Sequence, residues 1–348
     1  MKLETFADIT QSIAKNGNRE FHLLLGNGFS MAYDPNIFSY NALHEFITDL
    51  DDNDLSTILG VIETKNFEVI MQQLDNFAAL IEAFGGDPEL KAKVDTAADK
   101  LKESLLDAVK ALHPEHVFTV PEDESTACSR FLSAFLQTGG KIFSTNYDLL
   151  LYWILMRNKI VNHTDGFGRD LENADEFVEP EDQEWSELRW GKHRDDQNVF
   201  YLHGALPFFD TGVEIVKEEY DHRNYLLEKI STRMEQGEYP IFVTAGNGRE
   251  KLAHIMHNHY LANCFDNLSC ITGSLVTFGF NFGPYDDHII KAINRAAKHG
   301  RKEFPKLLSI YIGVYSEADR KHIEQIRHKF KCKVRIYDAS STNIWGRM

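Results

Sequence analysis

The chain has 348 residues, 43% of them hydrophobic and 12% aromatic, a globular composition with room for a large core or two domains. Its 53 acidic against 37 basic residues leave a formal charge of −16, which repels phosphate backbones and anionic lipid surfaces alike and argues against direct nucleic-acid or membrane binding. The N-terminal stretch is polar and lacks the apolar core of a secretion signal, and no apolar run approaches the ~20 residues of a membrane span. The cysteines at 128, 264, 270 and 332 form no Cys-x-x-Cys pair. A cytoplasmic protein with reduced, largely buried thiols is expected.

In chain order, FHLLLGNGFS is a short apolar run that stops at a glycine-bearing turn, and ALHEFITDL follows with helical spacing of Leu43, Phe46, Ile47 and Leu50. From 51 to 125 the pattern is helical, as in FEVIMQQLDNFAALIEAF and VDTAADKLKESLLDAVKAL, and reads as a helical insertion. CSRFLSAFLQTGGKIFSTNYDLLLYWILM then gives helix, Gly-Gly stop, strand and helix, the order that builds a parallel sheet. Residues 163–198 are acidic and read as an irregular or hairpin excursion, and NVFYLHGAL as the next strand. Residues 207–268 are mixed, a second insertion with a helix expected from about Lys251 to Cys264. CITGSLVTFGF, DDHIIKAINRAAKHG, KLLSIYIGV, SEADRKHIEQIRHKF and KVRIYDA close the chain as alternating strands and helices. The fold class is α/β, with one domain spanning 1–348 and both insertions inside it.

In an open α/β sheet, ligands bind beyond the carboxyl ends of the strands. Four expected strands end in residues suited to that place: Gly26-Asn27-Gly28-Phe29-Ser30, Thr145-Asn146-Tyr147-Asp148, His203-Gly204 and Gly279-Phe280-Asn281. Gly26 and Gly28 would let backbone amides approach a pyrophosphate. The fingerprint is incomplete, because Met31 stands where a third glycine belongs and no Walker lysine follows.

Taken together, GNGFS, STNYD, LHG and GFNFGPYDDHI resemble the motifs of the sirtuin-like superfamily, and most closely its bacterial NAD hydrolases, several of which act in anti-phage defence. The resemblance covers roughly 20–50, 128–162, 197–206 and 268–340, and leaves both insertions unexplained. It implies a Rossmann-like parallel sheet with helices on both faces, and an enzyme that cleaves NAD to nicotinamide and ADP-ribose. Asn146 would then fix the nicotinamide ribose or the attacking water, His203 would be the general base, and Asp148 would serve the nicotinamide side. Gly26, Gly28 and Ser30 would cradle the pyrophosphate, Asn27, Phe29 and Thr145 would also contact NAD, and Gly279 and Asn281 would lie at the adenosine half. Such chemistry passes through an oxocarbenium-like ribose and needs a base that titrates near neutrality. The resemblance also implies a trigger, either self-assembly or a protein partner. The chain lacks the paired Cys-x-x-Cys zinc module of the deacylating members, which favours water as nucleophile.

Other readings stay open. Asp148 also suits the cap of the helix after it, Asn146 a turn, and His203 an ordinary strand end. A sensor that binds NAD or ADP-ribose without turnover is the alternative function. His254 and His257 share a helix face while His259 points elsewhere, so no metal is expected there. TAGNGREK reads as a turn before a helix, and Asp286 as the cap of the helix it precedes.

Overall fold

A computed structural model of the chain describes residues 3–15, 20–35, 53–62, 67–158, 160, 162–172, 179, 183–220, 225–243, 248–283, 286–298 and 306–347. The helix expected at 43–50 and the first residues of TAGNGREK lie outside them.

Seven parallel strands form the main sheet: β1 (Glu4–Thr5), β2 (Phe21–Leu25), β3 (Ile142–Ser144), β6 (Val199–Tyr201), β10 (Gly273–Phe278), β11 (Leu307–Val314) and β12 (Lys333–Asp338). Their order across the sheet is β1-β12-β11-β10-β2-β3-β6. The chain moves outward from β2 to β3 and β6, then returns to lay β10 on the other side of β2. Chain direction across the sheet therefore reverses between β2 and β10, the switch point at which open α/β folds form their crevice. With helices on both faces, the fold is the expected Rossmann-like α/β architecture. Among the described residues, no helix is long and apolar enough to cross a membrane.

Two helix groups cover the sheet. On α1 (Phe6–Lys15), Phe6 packs against Phe131 and Phe135 of α6 (Glu122–Leu136), and Phe135 meets Phe21 of β2. A second group joins α9 (Gly248–His257), α10 (His259–Ser269) and α11 (Asp287–Lys298). The sequence of α11 buries His288, Ile289, Ala292, Ile293 and Ala296, the three-and-four spacing that makes a single apolar stripe. The last helix, α12 (Glu317–Ile326), starts at a Ser316–Asp319 capping box.

The helical insertion contains α3 (Asn53–Ile62), α4 (Phe67–Ala83) and α5 (Pro88–Leu112), with no strand among the described residues of 51–121. Asp87 caps α5 by accepting from the Glu89 amide at 2.9 Å, with Pro88 in the first turn, where its missing N–H costs nothing. The expected 51–125 boundary runs into α6, whose first turn is acidic.

Three expectations need correction. NVFYLHGAL is two strands, because β6 ends at Tyr201 and β7 (Gly204–Asp210) begins a different sheet. The break is built by Gly204, whose φ of +80° suits glycine and whose hydrogen leaves room for the Ile241 carbonyl, 1.8 Å from where a Cβ would stand. The acidic excursion and the mixed insertion are also one structure, an antiparallel sheet of order β4-β5-β8-β7-β9 made from β4 (Phe167–Gly168), β5 (Leu188–Trp190), β7, β8 (Ile215–Lys217) and β9 (Pro240–Phe242). Finally, the helix expected over 251–264 is α9 and α10 in succession. Asn258 separates them and caps α10 by accepting from the Leu261 amide at 3.1 Å.

Candidate active site at the strand ends

Register places the expected site residues in one row. Leu25 pairs with Ser144, Ser144 with Tyr201, and Phe278 with Leu25, so Gly279, Gly26, Thr145 and Leu202 leave the sheet side by side. Asn146 and His203 then stand at equal steps beyond neighbouring strands.

The first cluster is a hydrogen-bonded relay. The Ser30 hydroxyl donates to Asp148 Oδ2 at 2.5 Å and accepts from Asn146 Nδ2 at 2.7 Å. Asp148 Oδ1 accepts from the Leu150 amide at 2.9 Å, at the start of α7 (Leu150–Arg157). Because the single hydroxyl proton of Ser30 goes to the carboxylate, Asn146 must face Ser30 with its amide nitrogen, which turns Oδ1 the other way. Among the described residues, the buried Asn146 Oδ1 has no hydrogen-bond partner. Buried carbonyl oxygens are rarely left so. Burial drives the Asp148 pKa up to about 6, against the lowering effect of the Ser30 and Leu150 bonds. Asp148 thus serves the first turn of α7 and the relay together.

The second cluster is a pair of imidazoles. His203 Nε2 lies 2.8 Å from His288 Nε2, and the rings stack at 5.0 Å between centroids. His203 is 4% exposed and His288 is fully enclosed. Burial first, then His288, Lys251 and His254, hold the His203 pKa well below its ordinary value, so the ring is neutral at pH 7 and titrates below the near-neutral range expected from the sequence, because the site is enclosed. Behind these groups, Asp286 accepts from the Gly283 amide at 3.1 Å and faces the Lys251 ammonium at 3.5 Å.

The glycine loop packs closely against the Gly279 backbone. The Gly28 amide donates to the Gly279 carbonyl at 2.9 Å and the Gly26 amide to the Phe278 carbonyl at 3.0 Å. A Cβ on Gly26 or Gly28 would come within 2.5 or 2.6 Å of Gly279 backbone atoms. Close packing of two backbones across the switch point is reason enough for these glycines. Phe29 is buried in the core, where the Trp345 ring packs against it in a tilted arrangement at 5.2 Å and donates to its carbonyl at 3.1 Å. Thr145 bonds the Leu25 carbonyl at 3.2 Å, while Asn27 and Asn281 are exposed. The structure therefore joins Ser30, Asn146 and Asp148, sets His203 on the neighbouring strand end, and leaves Asn27 and Asn281 outside.

Residues 23–345 match the model of a family described as a domain of unknown function, DUF4917. The chain belongs to that family. The matched range includes both insertions. No curated protein matches the chain.

Two buried histidines near the site went unassigned in the sequence reading. His288 lies among Ile289 and Ile290 on the buried stripe of α11, a position where a polar ring needs a partner. His113, just after α5, accepts from the Leu149 amide through Nε2 at 3.0 Å and packs edge-on to Trp153, joining the helical insertion to the Asn146–Asp148 loop. A separate cavity of about 240 Å³ lies between α7 and the second sheet. Tyr152, Phe167, Tyr201 and the Lys217–Asp165 ion pair line it. Among the described residues no group of three or more His, Cys, Asp or Glu is placed to hold a metal, and His259 sits on a different helix from His254 and His257.

Proposed function

We propose that the chain hydrolyses the N-glycosidic bond of NAD to give nicotinamide and ADP-ribose. The motif resemblance to the sirtuin-like NAD hydrolases suggests the substrate, and the buried, unpartnered Asn146 Oδ1 is the observation that carries the reading. In the reaction the C1′–N bond breaks with its electron pair going to the nicotinamide ring nitrogen, and a water oxygen bonds to C1′. The water proton leaves to a base. Asn146 Oδ1 accepts from the ribose hydroxyl or the attacking water. Asp148 holds Ser30, Ser30 fixes the Asn146 amide, and the carboxylate adds negative charge where a ribose cation develops. His203, neutral at pH 7, takes the proton.

Ser30, Asn146, Asp148 and His203 are all at most 7% exposed, so substrate entry requires the strand-end loops to part. This closed state fits an effector that stays silent until a trigger, an oligomer or a protein partner opens it, and bacterial anti-phage defence is the setting we propose. The same closure, with His203 Nε2 occupied by His288, favours a second reading in which NAD or ADP-ribose is sensed without turnover.

Nicotinamide release from NAD, followed with wild type, Asn146→Ala and His203→Ala at equal folded concentration, tests the proposal. Release by wild type alone supports hydrolysis. Calorimetric NAD binding by an inert wild type would transfer the protein to the sensor reading.

A further inference from the structure

We infer that His288 is a positioning residue for His203: it accepts the proton carried on His203 Nε2 and thereby leaves Nδ1 as the basic atom that meets the substrate. Both the basic role and the choice of which ring carries the proton rest on the hydrolase reading, whereas the short contact between the rings does not.

Two imidazole nitrogens 2.8 Å apart cannot both carry hydrogen, and a contact this short is a hydrogen bond only if one does. Each neutral ring has a single N–H. If His288 donated, His203 would accept at Nε2 and hold its own proton on Nδ1, leaving no lone pair for substrate. A base at His203 therefore requires the opposite arrangement, with Nε2–H donated to His288 and Nδ1 bare. This is the logic of a base oriented by a third group, with a neutral histidine in the place usually given to a carboxylate.

The surroundings agree with a pair that stays neutral at rest. Lys251 and His254 face His203 from α9, and His288 faces it from α11, and all three oppose a second positive charge, while the Asp286 carboxylate behind them is engaged by Lys251. When His203 takes a proton from water, the Nε2–H bond to neutral His288 becomes charge-assisted, and the proton is held where the reaction needs it. The strand break at Gly204 and the apolar stripe of α11 fix the two rings independently, which keeps the stacked geometry without help from substrate.

The test uses the full-length protein labelled with 15N-histidine, with ring signals assigned by loss in His203→Gln and His288→Gln. The expected spectrum has His203 protonated on Nε2 and His288 on Nδ1. A His203 signal protonated on Nδ1 would overturn the assignment. In nicotinamide release, His288→Gln, whose Oε1 can still accept, should stay within about threefold of wild type. His288→Leu, similar in size but without an acceptor, should lose roughly ten- to a hundredfold in kcat with little change in KM. His288→Leu with wild-type turnover and an unchanged His203 tautomer would also overturn the inference. If wild type releases no nicotinamide, the hydrolase reading fails on that result while the NMR spectrum still decides the proton assignment.

Discussion

Two buried polar clusters sit on either side of β6, and they are built to opposite specifications. On the second sheet, the Lys217 ammonium bonds Asp165 at 2.6 Å and lies 5.1 Å from the ring centres of both Tyr152 and Phe167. Its charge has a counter-charge and two aromatic faces. At the strand ends, among the described residues, Asp148 has no cation in its hydrogen-bonded set and Asn146 Oδ1 has no partner. A satisfied cluster stabilises a fold, whereas an unsatisfied one stores free energy that a ligand can release. The contrast sets a paired polar cluster apart from the one proposed to meet a substrate.

Substitutions should divide along the same line. The largest effect is expected from Asn146→Ala and His203→Ala, which should lower nicotinamide release by about 10²–10⁴-fold while leaving the far-ultraviolet circular dichroism unchanged. Lys217→Met should do the reverse. It strands the Asp165 carboxylate in the interior, costing about 3–5 kcal/mol in urea unfolding with turnover per folded molecule preserved.

Asp148→Asn sharpens the comparison further. The native pKa of about 6 lies above the ordinary 3.8, so between those values the folded protein keeps a proton that the unfolded chain has released. Stability therefore falls as pH rises through that window, and the deficit persists above it. Removing the charge should abolish activity yet hold or raise the melting temperature at pH 7. It should also erase that part of the pH dependence. His22 and His113 work in the opposite sense: burial holds both at about 4 against an ordinary 6.5, so their contribution is lost as pH falls from 6.5 toward 4.

The smallest effect is expected at the joint between insertion and site. His113→Leu leaves the buried Leu149 amide without its acceptor and should cost about 1–3 kcal/mol, read by thermal unfolding.

Much of this was legible in the sequence because parallel strands are short apolar runs that end in recognisable turns. β2, β3, β10, β11 and β12 fall within the runs that announced them, and Asn146, Asp148 and His203 stand at the strand ends where the pattern put them. The antiparallel sheet was not legible, since most of its strands are two or three residues long and pair across distant segments. Nor was the role of Ser30, whose partners are 116 and 118 residues away. The glycines were read for their permissiveness, yet it is the Gly279 backbone, brought alongside by sheet order, that demands them. His288 carried a local signal, a histidine on an apolar helical stripe, but its partner 85 residues earlier is visible only in the fold.

The most direct test of the central claim is the time course of nicotinamide release from NAD by wild type and by Asn146→Ala, both verified as folded. The account predicts release by wild type and essentially none by the variant. Equal release by the two, or none by wild type under any condition that opens the site to NAD binding, would contradict it.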